Sequence, residues 1–202
     1  NAFDLRHEDD KLRDRYGRHR WGQSCLLARR LAEAGVAVIN IDATAPNDTT
    51  KHFSWDDHAS AFHLDYAQQE RLPQMDQGLT ALITDLHDRG LDKNVLVIAC
   101  GEFGRTPMVE SNPTLNRKQG RDHHPQAFSL WMAGGGVKGG MSLGATDELG
   151  FHIAERPVHI HDLQATILHL LGLDHERLTF RHGGRDYRLT DVHGKVIKEI
   201  AA

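Results

Sequence analysis

The stretch from Asn94 to Pro125 constrains the fold of this chain most. It begins with NVLVIAC, an unbroken apolar and β-branched run that predicts a buried strand. The sequence GEFGRTP follows at once and places Glu102 and Arg105 just beyond the end of that strand. Ligands of open α/β sheets bind beyond the carboxyl ends of the strands, so this pattern predicts a functional site here.

A second polar group precedes the next apolar run. Asp122, His123 and His124 stand shortly before AFSLWM, which predicts a strand over residues 127–132. Two predicted strand ends therefore present carboxylate, imidazole and guanidinium groups together. The segment between the two strands is too long and too polar for a simple connection, and loops of that length are usually functional or mobile.

The order of the predicted elements indicates an α/β protein. Helical periodicity runs over residues 9–34, and VAVINI at 36–41 follows as a strand. A second helical pattern covers residues 65–89 and leads into the strand at 94–100. Alternation of helix and strand favours a layered sheet with parallel pairing.

The last part of the chain predicts a helix and a hairpin. An amphipathic helix is predicted over residues 162–171, and the tail YRLTDVHGKVIKEI alternates around a His-Gly turn. The earlier segment GGGVKGG fits a turn that needs positive φ better than a phosphate-binding loop, since it lacks the spacing of either phosphate motif.

Composition and net charge indicate the size of the domain and the kinds of partner to expect. The 202 residues, 39% of them apolar, suit one globular domain. A net charge of -4 lacks a basic footprint, so we expect no nucleic acid or anionic membrane partner. No apolar run approaches the ~20 residues of a membrane span, and no signal peptide pattern is present. Fifteen histidines keep metal binding open.

The first candidate for metal binding is the sequence Asp56-Asp57-His58, which follows a polar loop. Carboxylate and imidazole suit a zinc-like or manganese-like cation, and Asp56 and His58 can converge on one ion in a tight turn. An acidic cap at the start of a helix explains the same residues at least equally well.

Glu102 and the histidine pair supply further candidates. A carboxylate at the end of a buried strand is costly without a partner, which is either a ligand or Arg105. Adjacent side chains of an extended segment point in opposite directions, so one histidine of the pair faces the site. We select His124 and keep His123 as second choice, with two solvated loop histidines as the alternative.

Five segments, in this order, resemble the DUF1501 family: RDRYGRHRWGQSCLLARRLAEAGVAVINI, SWDDHASAF, CGEFGRTP, GRDHHPQAFSLWMAGGGVKGG and DLQATILHLLGLDHERL. This family is sulfatase-like and belongs to the alkaline phosphatase superfamily, and the resemblance covers nearly the whole chain. It implies a three-layer α/β/α sandwich with a mostly parallel sheet. It also implies hydrolysis of phosphate or sulfate esters at a site with one or two metal ions.

The resemblance assigns roles to individual residues. Asp56 and His58 resemble the Asp and His ligands of one metal ion, and His124 resembles the later histidine that completes that site. Glu102 occupies a position where relatives have an Asp-His pair, and here Phe103 follows it.

The remaining roles concern the substrate and the identity of the metal. Arg105 would offer paired donors to a small anionic ester, and Asp57 and His123 are second choices as ligands. The implied cofactor is a divalent metal, with zinc first and manganese or calcium as alternatives.

The superfamily's nucleophile lies at an early strand-to-helix junction, and this chain starts downstream of it. We therefore expect the C-terminal portion of such a fold, incomplete at the N-terminus and without the nucleophile. An unpaired sheet edge would favour self-association. The resemblance also suggests export to the bacterial periplasm. The alternative function is a non-catalytic metal-binding or scaffold module that keeps the fold.

Overall fold

A computed structural model describes residues 1–43, 55, 64–115 and 117–202. The α-helices are α1 (Asp10–Tyr16), α2 (Arg20–Glu33), α3 (Leu64–Tyr66), α4 (Leu72–Asp88) and α5 (Ile160–Leu170). A π-helical segment, Ala67–Arg71, joins α3 to α4. Short 3₁₀ turns cover Leu5–His7 and Pro113–Leu115. No helix in these ranges is long and apolar enough to cross a membrane.

The described residues form ten short strands, which pair in twos. They are β1 (Leu96–Ala99), β2 (Gly104–Arg105), β3 (Glu110–Asn112), β4 (Arg117–Gly120), β5 (His123–His124), β6 (Trp131–Gly134), β7 (Ala145–Thr146), β8 (Ile153–Glu155), β9 (Thr179–His182) and β10 (Arg185–Arg188). The pairs are β1 with β6, β2 with β5, β3 with β4, β7 with β8, and β9 with β10. Each of these pairs is antiparallel.

The prediction of a three-layer α/β/α sandwich with a mostly parallel sheet is wrong. Parallel neighbours need a crossover connection, usually a helix, and the described residues between β1 and β6 form hairpins and a 3₁₀ turn instead. The chain therefore returns antiparallel, with Leu96 opposite Gly134. The predicted strand at residues 36–41 is irregular, and Val38 is 78% exposed.

The helical predictions are largely confirmed, with one break. The pattern over residues 9–34 divides into α1 and α2 at Gly17, whose φ of 90° favours glycine. The pattern over 65–89 corresponds to the helical stretch from Leu64 to Asp88. Helices α1, α2 and α4 share one core, in which Tyr16, Leu26 and Leu86 are fully or almost fully buried.

Strand β1 links this helical core to the polar segment that follows it. Val97 packs against the buried side chains of the helices, as do Leu91 and Val95 before it. The predicted strand at 94–100 is therefore present as β1, although its four residues are only partly buried. Its carboxyl end leads within a few residues to Glu102 and β2.

The prediction of a hairpin around His193-Gly194 in the tail is wrong, and the hairpin of this region lies before it. Strands β9 and β10 turn at Gly183 and Gly184, which have φ values of 57° and 81° and match a two-residue hairpin turn. Gly194 instead lies against α5, where an added Cβ atom would be 2.9 Å from the His161 carbonyl oxygen. Packing against this helix thus replaces the expected turn.

Candidate functional site

The two polar segments that the sequence singles out lie side by side. Strand β2 pairs with β5, with Gly104 opposite His124 and Arg105 opposite His123. The Thr106 amide donates a hydrogen bond of 2.9 Å to the Asp122 carbonyl oxygen. The Asp122 amide donates in turn to the Thr106 hydroxyl at 3.1 Å. The sequences GEFGRTP and GRDHHP therefore form one unit, although each strand has only two residues.

Gly104 allows this close approach. A Cβ atom at this position would lie 2.3 Å from the Ala127 carbonyl oxygen and 3.2 Å from that of His124. Both neighbours are backbone atoms, which cannot rotate away as a flexible side chain could. The pairing of the two segments therefore requires glycine at position 104.

His124 is the most buried of the predicted site residues that the structure describes, with 7% exposure. Its Nε2 atom lies 2.7 Å from the Phe151 carbonyl oxygen. A carbonyl oxygen only accepts, so Nε2 carries the hydrogen, and in the neutral ring Nδ1 keeps its lone pair. Histidine ligands of metals are usually oriented in this way, through a hydrogen bond from the other ring nitrogen. The ring of His124 therefore has the donor chemistry of a metal ligand.

A tight turn at Asp147 positions Phe151. The Asp147 carboxylate accepts from the Phe151 amide at 2.8 Å and from the His152 amide at 3.0 Å. These hydrogen bonds, first of all that from Phe151, lower the pKa of Asp147 below its ordinary value. The turn closes the β7–β8 hairpin and directs the Phe151 carbonyl to His124.

This support for His124 was not identified from the sequence. A local signal was present, because aspartate followed three residues later by glycine is typical of a turn. Asp147 and Gly150 occupy these places, and the Gly150 amide donates to the Asp147 carbonyl at 3.0 Å.

On the other side of the strand pair, aromatic and cationic side chains pack together. The rings of Phe103 and His123 are 4.4 Å apart, and the Arg105 guanidinium lies 5.8 Å from the Phe103 ring centre. Arg105 also donates to the Arg121 carbonyl oxygen at 3.2 Å. His123 is exposed whereas His124 is buried, as expected for neighbours in an extended segment. Phe103 thus packs against His123, the second choice as a metal ligand.

The remaining predicted ligands divide into two groups. Asp56, Asp57 and His58 lie outside the described residues. Glu102 is described and exposed, just before β2. Within the described ranges, no group of three or more His, Cys, Asp or Glu side chains is arranged to hold a metal ion. The complete ligand set therefore stays a prediction.

Trp55, the residue before Asp56 in the sequence, packs against the helices. Its ring stacks on that of Trp21 in α2, with centres 5.4 Å apart and planes 8° apart. The Arg71 guanidinium lies 5.3 Å from the Trp55 ring centre. The indole nitrogen donates to the Ala43 carbonyl at 3.2 Å. This predicted ligand segment therefore follows a residue that is anchored on the helices.

Fold and site together define a protein with a helical core and antiparallel hairpins, in which two paired loops carry the candidate site. The family model described as "Protein of unknown function (DUF1501)" matches residues 1–201. The chain therefore belongs to the DUF1501 family, which confirms the family resemblance. No curated protein and no solved structure matches the chain.

Proposed function

We propose that this chain forms part of a metal-dependent hydrolase of phosphate or sulfate esters. The observation that carries the proposal is the orientation of His124, whose Nε2 atom donates to the Phe151 carbonyl oxygen and leaves Nδ1 for a metal ion. His124 offers a fixed imidazole, and Arg105 offers a guanidinium for an anionic group. The resemblance of DUF1501 proteins to the sulfatase-like alkaline phosphatase superfamily supports the same chemistry.

Each site residue has a distinct task in this proposal. His124 donates through Nε2 to the Phe151 carbonyl and presents Nδ1 to the metal. Asp56 and His58 complete the first set of ligands, with Asp57 and His123 as second choices. Glu102 faces a second cation or the substrate. The bound divalent metal, zinc before manganese or calcium, would polarise the ester and lower the pKa of the nucleophile.

Arg105 binds and orients the substrate. A guanidinium has five N–H donors in a planar fork that matches two oxygens of a phosphate or sulfate group. One of its nitrogens already donates to the Arg121 carbonyl, which holds the group beside β5. Because the fork carries five N–H groups, we expect the side chain to keep this contact while it binds an anion.

Calorimetric titration of the chain with zinc, manganese and calcium tests the metal site. Fifteen histidines will bind zinc weakly, so the deciding comparison is between His124→Ala and the matched control His123→Ala. We expect His124→Ala to weaken the tightest binding event by at least about tenfold and His123→Ala to leave it unchanged. Equal binding by the two variants, or no binding by the wild type, would overturn the site.

A non-catalytic metal-binding or scaffold module is the second candidate. Phe103 favours it, because this ring stands where relatives carry the histidine of an Asp-His pair and packs against His123, with ring centres 4.4 Å apart. A panel of phosphate and sulfate esters, assayed with the protein in its full cellular form, separates the two functions. Turnover that His124→Ala abolishes supports the hydrolase, whereas metal binding without turnover supports the scaffold.

A further inference from the structure

Three histidine rings gather at the start of α5, away from the residues of the candidate site. The ring centres of His159 and His161 are 4.9 Å apart. His193 stacks on His161 at 5.4 Å with planes 8° apart, and lies 6.5 Å from His159. We refer to His159, His161 and His193 as the histidine cluster.

His159 caps the helix in a way that depends on its protonation state. Its Nδ1 atom accepts a hydrogen bond of 3.2 Å from the His161 amide. The Asp162 carboxylate accepts from the His159 amide at 3.3 Å, which completes a capping box. A ring nitrogen can accept only while it carries no proton, so protonation at Nδ1 removes the cap. The resulting cation would also face the positive end of the helix dipole.

Protonation of His161 is unfavourable as well. Its Nδ1 atom is buried and has no hydrogen-bond partner among the described residues. A proton on this atom would be a buried donor without an acceptor, which is unfavourable. In addition, a charged His161 and a charged His193 would repel each other across their stacked rings. The cluster as it stands is therefore compatible with neutral rings.

His193 belongs to a segment that α5 holds through its first turns. We refer to residues 193–202 as the C-terminal strap. The Lys195 amide donates to the Asp162 carboxylate at 2.7 Å, and the Ile197 amide donates to the Thr166 hydroxyl at 2.9 Å. Asp162 thus binds the strap and the His159 cap with one carboxylate, so the two contacts are coupled.

The far end of the strap contacts the glycine-rich turn after β6. The Lys138 amide donates to the Ile200 carbonyl at 2.8 Å, and the Ala202 amide donates to the Gly136 carbonyl at 2.8 Å. Arg156, shortly before α5, forms an ion pair with Glu199. The strap therefore joins the start of α5 to the turn that follows β6.

We propose that the histidine cluster is a pH-sensitive latch that releases the C-terminal strap on acidification. Histidine is the residue type that changes charge between about pH 5 and 8. The charged groups on the packed elements are Asp162 on α5, Lys195 on the strap, and the Arg156–Glu199 pair. Asp162 favours a cationic cluster, but two backbone amides already share its carboxylate. Loss of the cap and repulsion between the rings therefore dominate in acid.

Hydrogen exchange of the full chain at about pH 7.5 and about pH 5.5 tests the latch, with rates corrected for the intrinsic effect of pH. The amides to follow are those of His161, Lys195 and Ile197, which make the bonds in question. In the wild type we expect exchange about tenfold faster at the lower pH, the factor that loss of one cap implies.

The double variant His159→Asn/His193→Asn keeps a capping residue, and it removes both the ring whose protonation breaks the cap and the ring that would repel a charged His161. We expect its protection to be independent of pH over this range. His169→Asn is the matched control, since His169 is exposed in the last turn of the same helix, and it should behave like the wild type. Unchanged protection of the wild type, or the same acid loss in the double variant, would overturn the latch.

Should the double variant lack protection at both pH values, His159→Asn alone supplies the deciding measurement. This variant retains the His161–His193 stack and a side chain that caps α5. A smaller acid effect than in the wild type supports the latch, and an equal effect rejects it.

Discussion

The helical core and the candidate site are held together by different kinds of contact. In the core, the buried guanidinium of Arg29 forms ion pairs with Glu8 at 2.7 Å, Glu33 at 2.6 Å and Asp85 at 2.9 Å. The side chain of Arg29 is 1% exposed, and its pairs with Glu8 and Asp85 are largely buried, whereas Glu33 is 34% exposed. The site consists instead of two-residue strands, a glycine contact and a hydrogen bond from one histidine to a carbonyl.

At Glu8, the hydrogen bonds of the core network outweigh the effect of burial on the pKa. Burial by itself would raise the pKa of Glu8, but hydrogen bonds from Arg29 and Arg30 outweigh it and lower that pKa. The network includes Tyr16, whose hydroxyl donates to Asp85 at 3.0 Å, and so joins α1, α2 and α4. The comparison indicates that global stability depends on the core, whereas geometry at the site depends on a few local bonds that can be changed separately.

The largest expected effect comes from breaking the core network. Arg29→Met keeps an apolar stem but leaves Glu8 and Asp85 buried without their shared cation. Removing one partner of a buried ion pair costs about 3–5 kcal/mol, and we expect a loss of this size in the free energy of unfolding measured with urea.

The matched control for the core is Arg6→Met. Arg6 pairs with Asp4 at 2.7 Å but is 86% exposed, and exposed pairs contribute little. It should therefore leave the unfolding midpoint unchanged. Equal effects of the two substitutions would contradict the distinction between a buried network and surface pairs.

The next largest effect concerns the backbone of the site. Gly104→Ala places a Cβ atom against the Ala127 carbonyl and should cost about 1–3 kcal/mol through forced backbone shifts. We expect faster amide exchange at Thr106 and Asp122, whose amides bond across the strand pair. In Gly139→Ala an added Cβ meets nothing within 4 Å, so both stability and exchange should stay as in the wild type. An equal loss in both variants would reject a specific requirement at Gly104.

A smaller effect is expected at the edge of the core network. Burial and the Asp85 carboxylate raise the pKa of Tyr16, so its hydroxyl keeps its proton and donates. Tyr16→Phe removes this donor while Arg29 and Arg89 still contact Asp85, so unfolding should lose about 1 kcal/mol. A loss as large as that of Arg29→Met would show that the hydroxyl, rather than the guanidinium, dominates the network.

Local sequence patterns predicted several helices and strands, but they could not predict which strands pair or in which direction. Helical periodicity depends on side chains three or four residues apart, so α4 lies close to the predicted range. The strand β1 was also predicted, but its partner was not. The strand predicted over residues 127–132 overlaps this partner, β6 (Trp131–Gly134), only at its last two residues, and the direction of pairing follows from the hairpins between β1 and β6, which periodicity does not describe. The parallel sheet was wrong for this reason.

At the candidate site, the residue types predicted which segments meet, but the orientation of His124 depends on a backbone atom. Two segments rich in charged and imidazole groups do meet, as Arg105 and His123 show. The contact that orients His124 comes from the Phe151 carbonyl, and every residue carries such an oxygen. Because this acceptor is a main-chain atom, the residue type at position 151 does not reveal it, and only the structure identifies it.

The smallest effect, and the most local, concerns the turn that supplies this carbonyl. Hydrogen bonds to Asp147 lower its pKa in the folded chain, so its contribution is complete above the ordinary aspartate value of about 3.9 and is lost as the pH falls through the lower folded value. In the wild type, the Phe151 and His152 amides should therefore stay protected down to that range and exchange faster below it, after correction for intrinsic rates.

Asp147→Asn keeps only one acceptor oxygen for the two amides and should lose part of this protection at neutral pH, without moving the urea midpoint. Glu148→Gln, an exposed neighbour, is the control and should match the wild type. If Asp147→Asn instead lowered the midpoint as far as Arg29→Met does, the site could not be changed independently of the helical core.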